Sequence, residues 1–221
     1  MAVFLAVGVY GALHSLLNRI GRSRKVHGEI VAIEQPAQDV TTVRCRLSQG
    51  WHGHRPGQFA FVTFDDKEGA HPFTIASADQ GDQTISFQIK ALGDYTGQLG
   101  RRLQVGQTVR VEGPYGRFDM ARINRRARQI WIAGGIGVTP LMSMAAQCRA
   151  EGRSVRMHYA GRSRALMAFL PELQAMLGDG LRVHVDDEAG APLDVVALMD
   201  ACADSDRLHV CGPQVMLDAI L

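Results

Sequence analysis

The spacing of apolar residues changes once along this chain, and the change divides it into two parts of different architecture. From about Lys25 to Gly116, apolar and polar residues alternate in six short runs rich in Val, Ile, Phe and Thr, separated by Gly, Pro, Asp or Gln. Period two is the spacing of a strand with one buried face. We therefore expect an antiparallel six-stranded barrel over residues 25–121, with a short capping helix near Tyr95 to Leu103.

Beyond residue 128 the pattern becomes that of an α/β domain. The run QIWIAG is continuously apolar, as in a parallel strand buried on both faces. Helix-length segments then alternate with strand-like segments as far as Leu221, which predicts a doubly wound parallel sheet over residues 128–221. Pro171 falls inside the predicted helix over residues 165–177, and either starts that helix late or kinks it. The basic stretch RINRRARQ, residues 122–129, is the expected linker.

The first 21 residues form a separate apolar segment. Met1 to Asn18 contains no charged side chain, and as a helix it would reach about 27 Å at ~1.5 Å per residue. A basic cluster follows at Arg19, Arg22, Arg24 and Lys25, as on the cytoplasmic side of a membrane helix. This pattern predicts a membrane-associated protein with its main body on the cytoplasmic side. The alternative is an amphipathic or buried helix of a cytoplasmic protein.

Composition excludes several classes of protein. Hydrophobic residues make up 46% and charged residues 21% of the 221, which is typical of a globular chain rather than a disordered one. A net charge of +2 argues against nucleic acid as a partner. The cysteines at 45, 148, 202 and 211 have no CxxC spacing, so we expect no local iron–sulfur or zinc site, no metal and no disulfide framework.

The motif GGIGVTP, residues 134–140, follows the first strand of the α/β part. Gly134, Gly135 and Gly137 would let the backbone turn sharply and approach a ligand. Thr139 is the expected N-cap and Pro140 the first helical residue, so free N–H groups at this helix start would favour a pyrophosphate. The alternative is a tight strand–helix turn with a well-made cap.

The motif CGP, residues 211–213, ends the last predicted strand, at the edge where open α/β sheets bind ligands. Cys211 could lie beside a nicotinamide ring, with Gly212 giving room. Alternatively, Cys211 is a small buried residue before a turn.

The motif HPFT, residues 71–74, lies on a barrel strand. Phe73 could stack on a flat heterocycle and Thr74 could hydrogen-bond it, while Pro72 is consistent with a strand edge. The alternative places Phe73 in the barrel core. GDYT, residues 93–96, precedes the short helix, where Gly93 and Thr96 could present N–H groups to a phosphate; a simple turn explains it equally well.

Two charged loops follow later strands of the α/β part. GRSR, residues 161–164, could meet an adenosine ribose or a 2′-phosphate. In VDDE, residues 185–188, Asp186 or Asp187 would repel a 2′-phosphate and favour a ribose hydroxyl. The two loops point to different nucleotides, so NADH and NADPH both remain open. Both loops could also be solvated surface.

These motifs, in this order, resemble the ferredoxin–NADP reductase superfamily over residues 26–221. GPYGRF at 113–118 also fits, and HPFT is similar to the reductase part of ferric reductase and NADPH oxidase type membrane proteins. The resemblance implies FAD on the barrel and NADH or NADPH on the α/β domain. The candidate cofactor-binding residues are His71, Pro72, Phe73, Thr74, Lys90, Gly93, Tyr95, Thr96, Gly134, Gly135, Gly137, Val138, Thr139, Arg162, Ser163, Cys211, Gly212 and Pro213.

The resemblance also implies an activity. Hydride would pass from nicotinamide to flavin near Thr74 and Cys211, the two candidate catalytic residues, and electrons would leave singly for a haem, ferric iron or similar acceptor. A haem-bearing membrane domain is the expected partner. The alternatives are a soluble or membrane-anchored flavin or ferredoxin reductase, and a nucleotide-binding module without turnover. Family members continue for about twenty residues after CGP, so we expect the second domain to be incomplete at Leu221.

Overall fold

A computed structural model describes residues 24–37, 39–91, 93–118 and 128–220. The strands are β1 Lys25–Ala37, β2 Val40–Leu47, β3 Phe59–Thr63, β4 His71–Thr74, β5 Thr84–Lys90, β6 Thr108–Tyr115, β7 Gln129–Gly134, β8 Arg156–Gly161, β9 Leu181–Val185 and β10 Arg207–Cys211. The helices are α1 Gly93–Arg102, α2 Val138–Ala150, α3 Leu170–Leu177, α4 Asp186–Ala189, α5 Val195–Asp200 and α6 Gln214–Asp218.

The first six strands form one antiparallel sheet in the order β4-β3-β6-β1-β2-β5. A single bridge between Ile75 and Phe87 brings the two edges together, so the sheet curls into the predicted barrel. Alternate residues of the strands point inward and form one apolar core that includes Ile30, Val43, Val62, Ile85, Phe87 and Val111. Helix α1 covers one end, where Leu99 of the helix and Leu103, the residue directly after it, join that core.

The remaining four strands form a parallel sheet in the order β10-β7-β8-β9. Every residue of β7 is buried, as its continuous apolar sequence predicts. The carboxyl ends of all four strands lie at one edge of the sheet, which places the motifs that follow β7, β8, β9 and β10 along that edge. The predicted order of a barrel followed by an α/β domain is therefore confirmed.

Helix α3 begins later than the apolar pattern predicts. The pattern indicates a helix over residues 165–177, but α3 spans Leu170–Leu177, with Pro171 in its first turn. A proline there loses no hydrogen bond, because first-turn N–H groups have no acceptor within the helix. Phe169, just before the helix, has a φ of 62°. Pro171 thus starts the helix late rather than kinking it.

The two halves touch through buried contacts of the barrel with helix α2. The Gly57 N–H donates to the Ser143 hydroxyl at 3.0 Å, and Ser143 is fully buried. A methyl group at Gly57 would overlap the Phe118 carbonyl oxygen, so only glycine fits there. Val40 of β2 belongs to the apolar core of the α/β half, which makes this contact part of that core.

Two sequence-based predictions concern residues outside the described ranges. These are the apolar segment of residues 1–21 and the linker predicted at residues 122–129, of which all but Arg128 and Gln129 lie outside the described ranges. Among the residues that the structure describes, no helix is both long and apolar enough to span a membrane.

The start of β7 is tied to the start of β10 by one ion pair, which generates a stability prediction. The Asp206 side chain is only 3% exposed. Its carboxylate accepts one hydrogen bond from Arg128 Nε at 2.9 Å and another from the Ala203 N–H at 2.9 Å. The hydrogen bond from Arg128 lowers the pKa of Asp206, so its stabilisation is present above the ordinary aspartate pKa and is lost as pH falls through the lowered value.

We expect Asp206→Asn to lower the melting temperature at pH 7 and to lessen the further loss of stability as the pH falls from 7 to below about 4. Thermal unfolding across that range measures both effects. Asp204→Asn, two residues away on the same loop, is the control and should change neither. Equal acid sensitivity of Asp206→Asn and wild type would contradict the assigned role of this pair.

Candidate active site

Two of the candidate residues, one from each half, face each other across a cleft. Lys90 ends β5 of the barrel, and Gly135 begins the turn after β7 of the parallel sheet. A methyl group placed on Gly135 would lie 4.0 Å from Lys90 Nζ. At this point the cleft has the end of β5 on one side and the carboxyl edge of the parallel sheet on the other.

On the barrel side, the register of HPFT turns alternate side chains inward. Phe73 pairs with Ala60, is 9% exposed, and packs against Phe64 and Phe87 with ring centroids 5.9 and 6.4 Å away. The structure thus places Phe73 in the barrel core, as the alternative interpretation has it, and its stacking on a flavin stays a prediction. Pro72 is exposed, and Thr74 is half-buried at the end of the strand.

His71 of β4 and Tyr95 of α1 form a stacked pair. Their ring centroids are 4.2 Å apart with an interplanar angle of 20°. The Tyr95 hydroxyl is buried and has no hydrogen-bond partner among the described residues. Burial, and then the nearby Glu68 and Asp65 carboxylates, raise the pKa of Tyr95, so the hydroxyl stays protonated and able to donate.

This unpartnered donor fits the phosphate end of a flavin nucleotide. A buried hydroxyl without an acceptor is costly unless a ligand supplies one. Tyr95 lies in the first turn of α1, where free backbone N–H groups also favour an anion. Next to it, Thr96 and Gly97 line a cavity of about 690 Å³ that also borders Asp39 and Leu166. That volume is in the range of ligand-binding cavities.

On the sheet side, the loops of GGIGVTP and CGP pack directly on each other. A methyl group at Gly137 would overlap the Cys211 carbonyl oxygen, and one at Gly134 would lie 2.6 Å from Pro213 Cδ. Gly212 is similarly closed in by Met216. By contrast, Gly135 has a φ of +53° and borders the cleft. Gly134 and Gly137 are therefore explained by loop packing, and Gly135 is the glycine of this motif that leaves room for a ligand.

The predicted start of α2 is wrong by two residues. A 3₁₀ turn covers Gly135–Gly137, the helix begins at Val138, and Gly137 rather than Thr139 is the N-cap. The Thr139 hydroxyl donates to the Ile136 carbonyl oxygen at 2.6 Å, so it caps no N–H group. Pro140 is the third helical residue. No side chain caps this first turn, which favours an anion there, but the Val138 N–H is already bonded to the Gly135 carbonyl oxygen and Pro140 has no N–H group.

Cys211 lies at the cleft as a neutral thiol. It pairs with Ala133 at the carboxyl end of β10 and is partly buried. Burial raises the pKa of the thiol, so at neutral pH it is not a thiolate nucleophile. A small, uncharged, polarisable group in this position suits contact with a flat ring. Among the described residues, no group of three or more His, Cys, Asp or Glu could hold a metal ion.

The loops after β8 and β9, whose sequences indicate different nucleotides, are in contact. The Asp187 N–H donates to the Arg162 carbonyl oxygen at 3.0 Å. Arg164 forms two hydrogen bonds with Glu188, at 2.6 Å from Nε and 2.9 Å from Nη2. Ser163 lies between the two arginines and is half-buried. The segment VDDE, expected as a loop, forms the four-residue helix α4 from Asp186.

The sequence did not reveal two charged partners of candidate residues. These are Asp39, which pairs with Lys90, and Glu188, which pairs with Arg164. Asp39 lies in the turn between β1 and β2, and its carboxylate is 3.5 Å from Lys90 Nζ. Only the register that pairs Val40 with Lys90 brings them together. Glu188 was visible in VDDE, but nothing in the sequence links it to Arg164. Strand register would have been needed to find either pair.

Comparison with known proteins agrees with this arrangement. Residues 26–119 match the model of an FAD-binding domain family. The toluene-4-sulfonate monooxygenase system reductase subunit of Comamonas testosteroni is 40% identical over 122 residues, which are 55% of this chain and 38% of that protein. The reductase component of propane 2-monooxygenase from Mycolicibacterium goodii is 27% identical over 218 residues, covering 89% of this chain and 62% of that protein.

A solved structure shares the two-domain fold. Phthalate dioxygenase reductase, described as a modular structure for electron transfer from pyridine nucleotides to a [2Fe-2S] centre, superposes with a TM-score of 0.78 at 25% identity. The match covers 89% of this chain and 63% of that one. This chain spans between 38% and 62% of the length of those two curated relatives. It thus contains an FAD-binding domain, within the two-domain fold of the ferredoxin–NADP reductase-like superfamily.

Proposed function

We propose that this chain is the FAD- and NAD(P)H-binding part of a reductase that supplies electrons to an oxygenase system. The observation that carries the proposal is the cleft itself, where Lys90 of the barrel faces Gly135 of the parallel sheet. The FAD-binding domain match covers the barrel side of this cleft. Cofactors on the two sides would be adjacent, as electron transfer between them requires.

Each side of the cleft has residues suited to one cofactor. On the barrel, the Tyr95 hydroxyl and the first turn of α1 would hold the flavin phosphates, and Thr74 would meet the ring. On the sheet, the uncapped first turn of α2 would hold the nucleotide pyrophosphate, with Cys211 beside the nicotinamide. Bound FAD supplies the chemistry that accepts electrons in pairs and releases them singly. The protein's contribution is position and electrostatics.

The acceptor in this proposal is an iron–sulfur or haem centre of an oxygenase system, because the relatives are reductase components of such systems. This corresponds to the alternative of a flavin or ferredoxin reductase rather than to a membrane ferric reductase. Neither of those relatives supports a haem-bearing membrane domain as partner. Membrane association through residues 1–18 stays a prediction, since they lie outside the described residues.

The first test is flavin content and reduction. We expect the purified chain to be yellow or to take up FAD, and its flavin absorbance to fall on anaerobic mixing with NADH or NADPH in a stopped-flow instrument. If the chain binds FAD but neither nucleotide reduces it, the chain is a nucleotide-binding module without turnover and the proposed activity is wrong. Colourless protein with no affinity for FAD would sink the proposal.

The second prediction concerns the Thr74 hydroxyl. Thr74→Val keeps the side-chain shape and removes a hydrogen bond worth about 1 kcal/mol, so we expect flavin reduction to slow by roughly fivefold to tenfold. FAD affinity should change little, since the phosphate contacts remain. The matched control is Thr63→Val. Strand β3 pairs with β4, and Thr63 ends β3 at the opposite end from Phe59, which pairs with Thr74. This variant should keep the wild-type rate. An unchanged rate in Thr74→Val would remove Thr74 from the reaction site.

The third prediction distinguishes two effects of a methyl group at Gly135, namely a loss of folding free energy from backbone strain and a loss of nucleotide affinity. Gly135→Ala should cost about 1–2 kcal/mol of folding free energy for its positive φ, and should also weaken nucleotide binding because the methyl group enters the cleft. Gly152→Ala is the control, with a φ of +65° and nothing within 4 Å. It should lose similar stability and keep nucleotide affinity. Denaturant unfolding and nucleotide titration measure the two effects; equal nucleotide affinity in both variants would contradict the assigned place of Gly135.

A further inference from the structure

We propose that the ion pair between Arg164 and Glu188 makes this nucleotide site select NADH over NADPH. The inference rests on the proposed function, because it concerns the adenosine end of the same nucleotide site. It addresses a question that the sequence left open, since GRSR and VDDE taken separately favour different nucleotides.

The position of the loop after β8 gives it access to the nucleotide's 2′ position. Strand β8 lies directly beside β7, whose glycine-containing turn opens helix α2. In open dinucleotide-binding sheets, the loop after this neighbouring strand meets the adenosine ribose, and an arginine there accommodates a 2′-phosphate. Residues 162–164 occupy that place, so two arginines flank Ser163 where NADP is distinguished from NAD.

The structure shows that Arg164 is already engaged. Its Nε and Nη2 donate to the two carboxylate oxygens of Glu188 at 2.6 and 2.9 Å. This bidentate geometry uses the same fork of donors that would recognise a phosphate. Arg164 lowers the pKa of Glu188, so the carboxylate is charged at neutral pH. A 2′-phosphate would have to displace an ionised competitor that is attached to the protein.

Glu188 is held in place by the strand beside it. Gly161 of β8 pairs with Val185 of β9, and the short helix α4 follows at once. The Asp187 N–H donates to the Arg162 carbonyl oxygen at 3.0 Å, which joins the two loops one residue before Glu188. The backbones of the two loops are therefore fixed next to the ion pair, whose two side chains are about half exposed.

The local charge also disfavours an added phosphate. The two loops carry the positive charges of Arg162 and Arg164 and the negative charges of Asp186, Asp187 and Glu188, so they sum to minus one. A 2′-phosphate adds nearly two further negative charges, whereas a ribose hydroxyl adds none. Arg162 is exposed, and its charge can serve the 5′-phosphate that both nucleotides share. It does not by itself distinguish them.

The test measures binding of two probes that differ only in the 2′-phosphate, namely adenosine 5′-monophosphate and adenosine 2′,5′-bisphosphate. Isothermal titration of the full chain with FAD should show that wild type binds the monophosphate at least as tightly. Glu188→Gln should raise affinity for the bisphosphate about tenfold relative to the monophosphate, because a charge-assisted contact to Arg164 becomes available. Low ionic strength should enlarge the gain.

Two further variants isolate the ion pair. Glu151→Gln makes the same change in net charge and breaks a Glu–Arg pair, with Arg153, following α2 at the opposite edge of the sheet. It should leave the ratio of the two affinities unchanged. Adding Arg164→Ala to Glu188→Gln should abolish the gain, since the freed guanidinium is its source.

The outcomes separate this inference from the proposed function. Tighter binding of the bisphosphate by wild type, or an unchanged ratio in Glu188→Gln, would overturn the selectivity inference and leave the nucleotide site standing. A gain that survives removal of Arg164 would also overturn it. If neither probe binds any variant, the nucleotide site itself fails, and the proposed function fails with it.

Discussion

The contact on which the cleft depends is the close packing of Gly137 against the carbonyl group of Cys211. Strands β7 and β10 are parallel neighbours, so the loops that follow them leave the sheet side by side. Because even a methyl group at Gly137 would overlap the Cys211 oxygen, these loops touch through their backbones. That contact fixes where α2 begins, and so fixes the position of its first turn relative to Cys211. The loops of GGIGVTP and CGP therefore pack against each other as one unit.

The architecture could be predicted from the sequence because it rests on patterns that are local. The continuous apolar run of β7 and the period-two runs of the barrel follow directly from which faces are buried. The start of α2 was misplaced because cap preferences are weak beside packing. Val138 and Thr139 are almost fully buried, and the helix begins where the backbone leaves the sheet rather than at the best capping side chain.

The site was harder to predict because its contacts join residues that are distant in sequence. HPFT indicates a strand that could bind flavin, but its sequence does not show which side chains face inward. The pairing of Phe73 with Ala60 in the sheet turns Phe73 into the barrel core. Three glycines in GGIG suggested room for a ligand, but two of them fill the space beside the CGP loop. Arg164 and Glu188 are 24 residues apart, and only the alignment of β8 with β9 makes them partners.

The buried Ser143 hydroxyl connects the two halves through a pair of hydrogen bonds. It accepts the Gly57 N–H at 3.0 Å and donates to the Pro140 carbonyl oxygen at 2.9 Å. One side chain thus joins a barrel loop to the first turn of the helix that faces the nucleotide. This contact and the packing of Val40 in the α/β core are direct links between the two halves. An exchange of barrels between related reductases would have to transfer the Gly57–Ser143 pairing, whereas the sequence joining the halves would be free to diverge.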